Sequence, residues 1–182
     1  MTLDAYMAQI VAVEATGERI GRQMVLAVDT STDGAGTDAG DFTVVAYHID
    51  NVGAALSPTS TDKSYIGEGE STVKTGTKRS FAITGNRLVG EPFQDFCLSH
   101  GIKYGVGSDV QRKYVYFDAG TLEGEQGTAT ITVTKDGAAG ASDPTEVEIT
   151  LNVNGTPESY SYVTPESDPN PNPNPDPDPE DG

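Results

Sequence analysis

The sequence predicts a mainly β protein with one α-helix and a long inter-strand loop. Three observations carry that expectation. Apolar and polar residues alternate with period two in several segments, the mark of strands with one buried and one wet face. Stretches rich in Gly, Asp and Pro separate those segments. One segment has helical spacing with recognisable start and stop residues.

Taken in chain order, Leu3, Tyr6, Met7, Ile10 and Val11 fall at helical spacing, while the small and β-branched residues that follow leave a strand from Ile10 open. Met24, Leu26 and Val28 alternate with Gln23, Val25, Ala27 and Asp29, which predicts a strand. Residues 30–41 (TSTDGAGTDAGD) read as a surface loop. The next strand, 42–50, is apolar on both sides, with Val45, Tyr47 and Ile49 opposite Phe42, Val44 and Ala46. Residues 51–70 (NVGAALSPTSTDKSYIGEGE) then form an unusually long connection, and such loops in compact domains are usually functional or disordered.

A long strand is expected over 71–84, with Val73, Thr75, Thr77, Arg79, Phe81 and Ile83 on one side and Lys74, Lys78, Ser80 and Ala82 on the other. Phe93, Phe96, Cys97 and His100 recur at i, i+3, i+4 and i+7. With Pro92 at the first helical position and Gly101 as a C-terminal cap, they predict a helix over 91–100. Strand 112–118 sets Tyr114 and Tyr116 opposite Val115 and Phe117. Strands 128–135 and 145–153 pair as a hairpin through KDGAAGASDP.

Composition divides the chain in two. It carries 11 Lys and Arg against 28 Asp and Glu, a net charge of −17 over 182 residues. Residues 164–182 hold seven of the eleven prolines, six acids and no base, too little apolar surface to offset the entropy of ordering. They are expected to form an extended, disordered acidic tail. Residues 1–163, at 22 acids and 11 bases, keep a net −11 and suffice for one domain.

Several function classes recede. No apolar run approaches the length of a membrane-spanning helix, and the first positive charge is Arg19, which argues against a secretory signal. A lone cysteine, Cys97, supports neither a disulfide framework nor a cysteine metal cluster. So acidic a chain repels nucleic acid phosphates. Phosphate-binding, nucleophile-elbow and zinc-protease motifs are absent.

Cys97 and His100 stand three apart on the predicted helix, but they read as a core thiol and a capping histidine rather than a metal pair. The acid pairs Glu146/Glu148 and Glu123/Glu125 read as an exposed strand face and a turn. The Gly67-Glu68-Gly69-Glu70 run lacks calcium-loop spacing. Asn154-Gly155-Thr156 matches a glycosylation acceptor, which means little without secretion. No enzyme activity, metal or cofactor is expected. From the residues alone, strands apolar on both faces suit a self-assembling subunit, and a monomeric binding module is the alternative.

The order of these elements resembles the major tail (tail tube) protein family of long, non-contractile-tailed bacteriophages. The resemblance spans roughly residues 20–155. It rests on FTVVAYHIDNVGAAL, on the long connection, on a Lys/Thr/Ser-rich strand and on Gly90-Glu91-Pro92-Phe93-Gln94-Asp95-Phe96. The later Tyr114-Val115-Tyr116-Phe117 strand and GEQGTATITVT add to it.

The resemblance implies a fold, a β-sandwich or partial barrel with one flanking α-helix, and a structural virion protein whose six copies close into a ring. The rings stack into a tube through which double-stranded DNA passes during ejection. The 51–70 loop, including Asn51, Leu56, Pro58, Lys63, Tyr65, Glu68 and Glu70, would bridge successive rings. Strands 42–50 and 71–84 would line the tube or make ring contacts through Tyr47, Asp50, Lys74, Lys78 and Arg79. The helix, with Pro92, Phe93, Phe96 and Cys97, would pack outside the barrel.

Expected partners are further copies of the chain and the tail tip (initiator) and terminator proteins. The tape measure protein and DNA would pass through the lumen without specific binding, and no membrane is involved. The location would be the virion tail, assembled in the bacterial host cytoplasm. The three basic residues of strand 71–84 are expected to pair with acids such as Glu68, Glu70 or Asp50 on neighbouring subunits. Some relatives carry an added immunoglobulin-like domain at the C-terminus, so the Pro-rich run reads either as a linker or as an acidic fringe. Its removal (167–182) is expected to leave tube formation unchanged. The alternative function is a phage fibre or surface adhesive β-sandwich.

Overall fold

The computed structural model describes residues 1–10, 21–31, 34, 36, 39–67 and 69–164. Seven strands make one antiparallel sheet: β1 (Met24–Asp29), β2 (Phe42–Val44), β3 (Ile49–Tyr65), β4 (Gly69–Asn86), β5 (Gln111–Asp118), β6 (Glu123–Ala138) and β7 (Glu146–Ser161). Their spatial order is β2-β1-β5-β6-β7-β4-β3. The sheet is not closed, because β2 and β3 are its two edges. Yet these edges are consecutive in the chain, joined only through residues 45–48. At about 3.6 Å per residue the two ends of the sheet therefore lie within roughly 18 Å of each other. The sheet curls into the partial barrel that the resemblance implies.

Each strand's alternation assigns residues to one of two cores. Leu26 and Val28 (β1), Phe81 and Ile83 (β4), Tyr114 (β5), Ala129 and Ile131 (β6), and Ile149 and Leu151 (β7) share the larger one. It is capped by α2 (Pro92–Cys97) and α3 (His100–Tyr104) through Phe93, Cys97 and Ile102. The opposite face of β1 and β5 buries Val25, Ala27, Val115 and Phe117 with Phe42 and Val44 of β2. Leu3 of α1 (Leu3–Met7) and Tyr162, just past β7, cover that second core. Residues of β1 are therefore buried on both sides, which is why its sequence lacks a polar face.

Four expectations need correction. The predicted 51–70 loop is a hairpin: β3 runs to Tyr65, and Gly69 starts β4. The predicted strand 42–50 breaks after Val44, because 45–48 turns the chain from one edge of the sheet to the other. His48 there adopts φ 54°. The predicted helix 91–100 ends at Cys97. Leu98 leaves helical geometry (φ −85°, ψ 0°) and Ser99 is extended (φ −61°, ψ 152°), so α3 begins anew. Gly101 lies inside α3, and His100 opens it rather than capping α2.

At the N-terminus the structure forms a helix, and a strand in 11–20 would lie outside the described residues, as do 32, 33, 35, 37 and 38 of the predicted 30–41 loop and all of 165–182. The predicted hairpin 128–135/145–153 is present, with Ala129, Ile131 and Val133 opposite Val153, Leu151 and Ile149.

Candidate functional site

The β3–β4 hairpin has two parts. At its root β4 pairs with β7 from Asn86↔Glu146 to Ser80↔Asn152. Beyond Ser80, β3 and β4 pair only with each other, out to Tyr65↔Gly69. From residue 79 back to 69, at about 3.3 Å per residue, this two-stranded ribbon extends roughly 35 Å from the sheet. It is exposed on both sides for nearly all its length. Gly67 (φ 100°) and Gly69 (φ 83°) adopt the left-handed conformations that close its tip. Ile66 at the tip is fully exposed, and Leu56, Tyr65 and Val73 are about half-exposed or more. A two-stranded ribbon is marginal alone in water, and an uncovered strand edge is a template for another chain. Among the described residues, the whole outer edge of β3 is such an edge. The β2 edge is partly occupied, since Val44 N–H donates to Met1 O and Thr2 bridges Thr43.

The residues expected to bridge rings sit on this hairpin. Asn51, Leu56, Pro58, Lys63 and Tyr65 belong to β3, Glu70 belongs to β4, and Glu68 lies outside the described residues. Asp50 is bulged out of register between Ile49↔Gly85 and Asn51↔Thr84. A second bulge changes the expected faces. Thr59 pairs with Gly76 but Ser60 with Lys74, so Thr75 is the extra residue, and its hydroxyl donates to Thr59 O. The register therefore places Lys74 on the face of Arg79, with Asp62 and Glu70, and leaves Lys78 on the other with Lys63, Val73 and Tyr65. Among the described residues, Lys63, Lys74 and Lys78 have no ion-pair partner within the chain.

Arg79 behaves differently from the neighbouring lysines, against the expectation that all three bases pair with other subunits. It is 8% exposed, and its Nε donates to Glu125 Oε1 at 2.6 Å. The guanidinium lies over the Phe81 and Tyr116 rings, 4.6 and 4.9 Å from their centroids. Tyr114 Oη donates to the same carboxylate oxygen at 3.4 Å. Burial first, then the Glu125 charge, pushes the Tyr114 hydroxyl well above its ordinary pKa, so it stays a donor. This cluster ties β4 to β5 and β6 across the concave face at the point where the ribbon leaves.

The Gly90–Phe96 stretch builds a clamp on the other end of the root. Pro92 occupies the first turn of α2, and Glu91 Oε2 accepts from Gln94 N–H. Phe93 and Cys97 enter the core, and Phe96 lies beneath the Arg112 guanidinium at 5.2 Å. The Asp95 carboxylate accepts from Gly90 N–H and from Arg87. Tyr47, in the 45–48 turn, is partly exposed, and its hydroxyl donates to Met1 Sδ at 3.8 Å.

Burial drives the Cys97 thiol far above its ordinary pKa, with Glu91 adding, so it is a packing group rather than a nucleophile. Among the described residues no three metal-ligating side chains converge. Glu146 and Glu148 both face Lys135 Nζ, at 3.2 and 3.6 Å, and Glu125 is bound to Arg79.

Sequence reasoning missed Glu125, Tyr114 and Gln94 as structural partners. Their spacing carries no local signal, since Arg79 and Glu125 meet only through the curl of the sheet. For Gln94, an amide next to Phe93 and three residues before Cys97, beside the apolar stripe of a helix, was the available clue.

No protein-family model matches the chain, and no curated protein matches it. Solved structures do. A chain in the tail of an empty gene transfer agent particle, refined helically with C6 symmetry, superposes with a TM-score of 0.57 at 14% identity, covering 80% of this chain and 100% of that one. A chain in the virion of the native gene transfer agent particle gives a TM-score of 0.53 at 13% identity over 79% of this chain and 100% of that one. At such identities the likeness shows a shared fold: the curled β-sheet with its flanking helices is the fold of chains found in a phage-like tail particle.

Proposed function

We propose that this chain is the major tail tube subunit of a phage or phage-like particle. In this reading six copies close a ring, rings stack into a tube, and double-stranded DNA passes through the channel during ejection. The observation that carries the reading is the β3–β4 ribbon with its free β3 edge, on a fold shared with chains of a tail particle whose symmetry is sixfold. The role is structural, and the location is the virion tail, built in the host cytoplasm.

The ribbon, with Leu56, Pro58, Lys63, Tyr65, Glu68 and Glu70, bridges successive rings. The outward face of β4 and its neighbours suits a channel wall: Ser80, Ala82 and Thr84 continue across Thr150 and Asn152 to Thr130 and Thr132. The acid on that face, Glu148, is balanced by Lys135. Such a surface, on a domain of net −11, gives a passing duplex little to hold. Lys74 and Lys78 make ring contacts with carboxylates of other copies, while Arg79 serves its own chain. Tail tip, terminator and tape measure proteins are the remaining partners.

Negative-stain microscopy from dilute to concentrated protein tests this. Rings or tubes with a hole wide enough for a duplex are expected. In a variant with residues 57–78 replaced by Asn-Gly, a turn that suits two flanking strands, the domain should fold but not stack. Small particles at every concentration, even with preformed tail ends added as seeds, would reject the reading.

A further inference from the structure

We infer that the Gln94 side chain is the positioning residue that sets the direction of the ribbon. Its carboxamide is completely buried and uses all its hydrogen-bonding capacity. Nε2 donates to Tyr47 O and to Asn86 O, each at 3.2 Å. Oε1 accepts from Leu88 N–H at 2.8 Å and from Arg87 Nη1 at 3.4 Å. Tyr47 lies just before β3, and Asn86 and Leu88 lie at and just after the end of β4. One amide therefore holds both strands where they enter and leave the hairpin. Its orientation is dictated, because a flipped amide would set N–H groups against Leu88 N–H and an oxygen against two carbonyls.

The root that Gln94 holds has no slack. Asn86 N–H donates to His48 O at 2.8 Å. A Cβ at Gly85 would stand 2.2 Å from that same carbonyl oxygen, so the backbones cross at a distance only glycine permits. His48 sits in the left-handed region (φ 54°), which a non-glycine residue adopts at a cost. The Gln94 bonds to the residues on either side hold this crossing in place. A roughly 35 Å ribbon magnifies any rotation at its base: about 10° there moves the tip by about 6 Å, more than the spacing of adjacent strands. The Gln94 side chain is itself fully buried, and its bonds reach the root and not the protruding ribbon.

The link from Gln94 to assembly rests on the proposed stacking role; the link to ribbon direction does not. The test measures the two separately. Spin labels on Thr61→Cys in the ribbon and Thr132→Cys on the sheet report their distance by electron–electron double resonance in dilute, unassembled protein; buried Cys97 is not labelled. The native distribution is expected to be narrow. Gln94→Met keeps the volume, removes all four side-chain bonds and should broaden the distribution at least about twofold. A core variant of comparable cost, Ile149→Ala, should leave it narrow.

If one monomer in ten then holds the ribbon correctly, assembly should need about tenfold more protein. A Gln94→Met distribution as narrow as native, or equal broadening in the core variant, overturns the positioning role. Broadening without any assembly defect upholds positioning and refutes stacking through the ribbon. If Gln94→Met does not fold, amide exchange of the native protein decides. The Leu88 N–H, bonded to Gln94 Oε1, should be protected like the amides of β4 opposite β7, and rapid exchange there overturns the inference.

Discussion

The molecule contains two long hairpins of nearly equal strand length, and they lead opposite lives. In β6–β7 both strands are flanked, β6 by β5 and β7 by β4. Ile131, Ile149 and Leu151 are buried on one face while Thr130, Thr132 and Thr150 stay on the other. In β3–β4 only the root is flanked, and from Ser57 and Lys78 outward the strands pair with no third strand among the described residues. The two sequences are alike in Thr and Ser, so strand propensity does not separate them. The difference is which positions must be apolar. A hairpin inside a sheet needs an apolar face for its own domain, whereas a protruding one needs only what a partner requires.

The flanked root should suffer most from Phe81→Ala. Phe81 is fully buried, its ring lies 5.3 Å from Tyr114 and 5.1 Å from Tyr116, and it carries the Arg79 guanidinium. Truncation should cost about 3–5 kcal/mol in urea denaturation of the monomer. The matching ribbon variant, Tyr65→Ala, should stay within about 0.5 kcal/mol. A large loss from Tyr65→Ala would mean that the ribbon folds back on its own domain.

The same contrast explains what was legible in the sequence. β1, β5, β6 and β7 were readable because burial of Leu26, Tyr114, Ile131 or Leu151 enforces alternation. In 57–65, the run SPTSTDKSY has no buried face and so no period, and it read as a loop although its backbone is as regular as any strand. The break at 45–48 was hidden for the opposite reason. Phe42, Val44, Val45 and Ile49 all pack apolar surface, and a periodicity argument does not register a turn between them. Of the site, the Pro92 start and the Phe93/Cys97 core contacts were readable locally. The Arg79–Glu125 pair and the Gln94 clamp exist only after the sheet curls.

That pair offers the next test. Glu125→Gln keeps the shape and removes the anion facing a nearly buried guanidinium. Glu125 is about a quarter exposed, so water offsets part of the loss. About 1–3 kcal/mol of destabilisation is expected at pH 7. Arg79→Lys should not restore the native value, because a lysine lacks the planar group that stacks on Phe81 and Tyr116.

A smaller effect separates the two cores. Tyr162 closes the second core, stacks on Phe117 with ring centroids 5.5 Å apart, and donates to Asp4 Oδ1 at 3.0 Å. Burial, then that hydrogen bond and the Asp4 charge, push its pKa up to about 12. A raised folded-state value means the neutral form is the one folding favours. Its contribution is complete below the unfolded value of about 10 and is lost as pH rises from there towards 12. Stability should therefore fall over that window. In Tyr162→Phe the fall should be shallower, from a start about 1 kcal/mol lower. An unchanged slope would locate the alkaline loss elsewhere, as in Tyr114, Tyr116 or Tyr160, whose hydroxyls burial also pushes up.

The smallest effect on the monomer should accompany a large one on the assembly. Lys74 lies on an exposed ribbon with no ion-pair partner among the described residues of its own chain. Lys74→Glu should thus leave the urea midpoint of the monomer within about 0.5 kcal/mol of native. If the ribbon lies on an acidic neighbour, the reversal converts attraction into repulsion at a contact repeated in every subunit, and tubes should shorten or vanish. Native tube formation should weaken with added salt, because exposed pairs are screened within about 10 Å at 0.1 M. The variant's deficit should shrink under the same conditions. Arg79→Glu makes the opposite combination, a monomer defect from an unpaired buried charge. Two basic residues five apart on one strand would then fail by different routes, one through the fold and one through the partner. A Lys74→Glu protein that assembles normally at low salt would remove Lys74 from the interface and leave the apolar tip, Tyr65 and Ile66, to carry the contact.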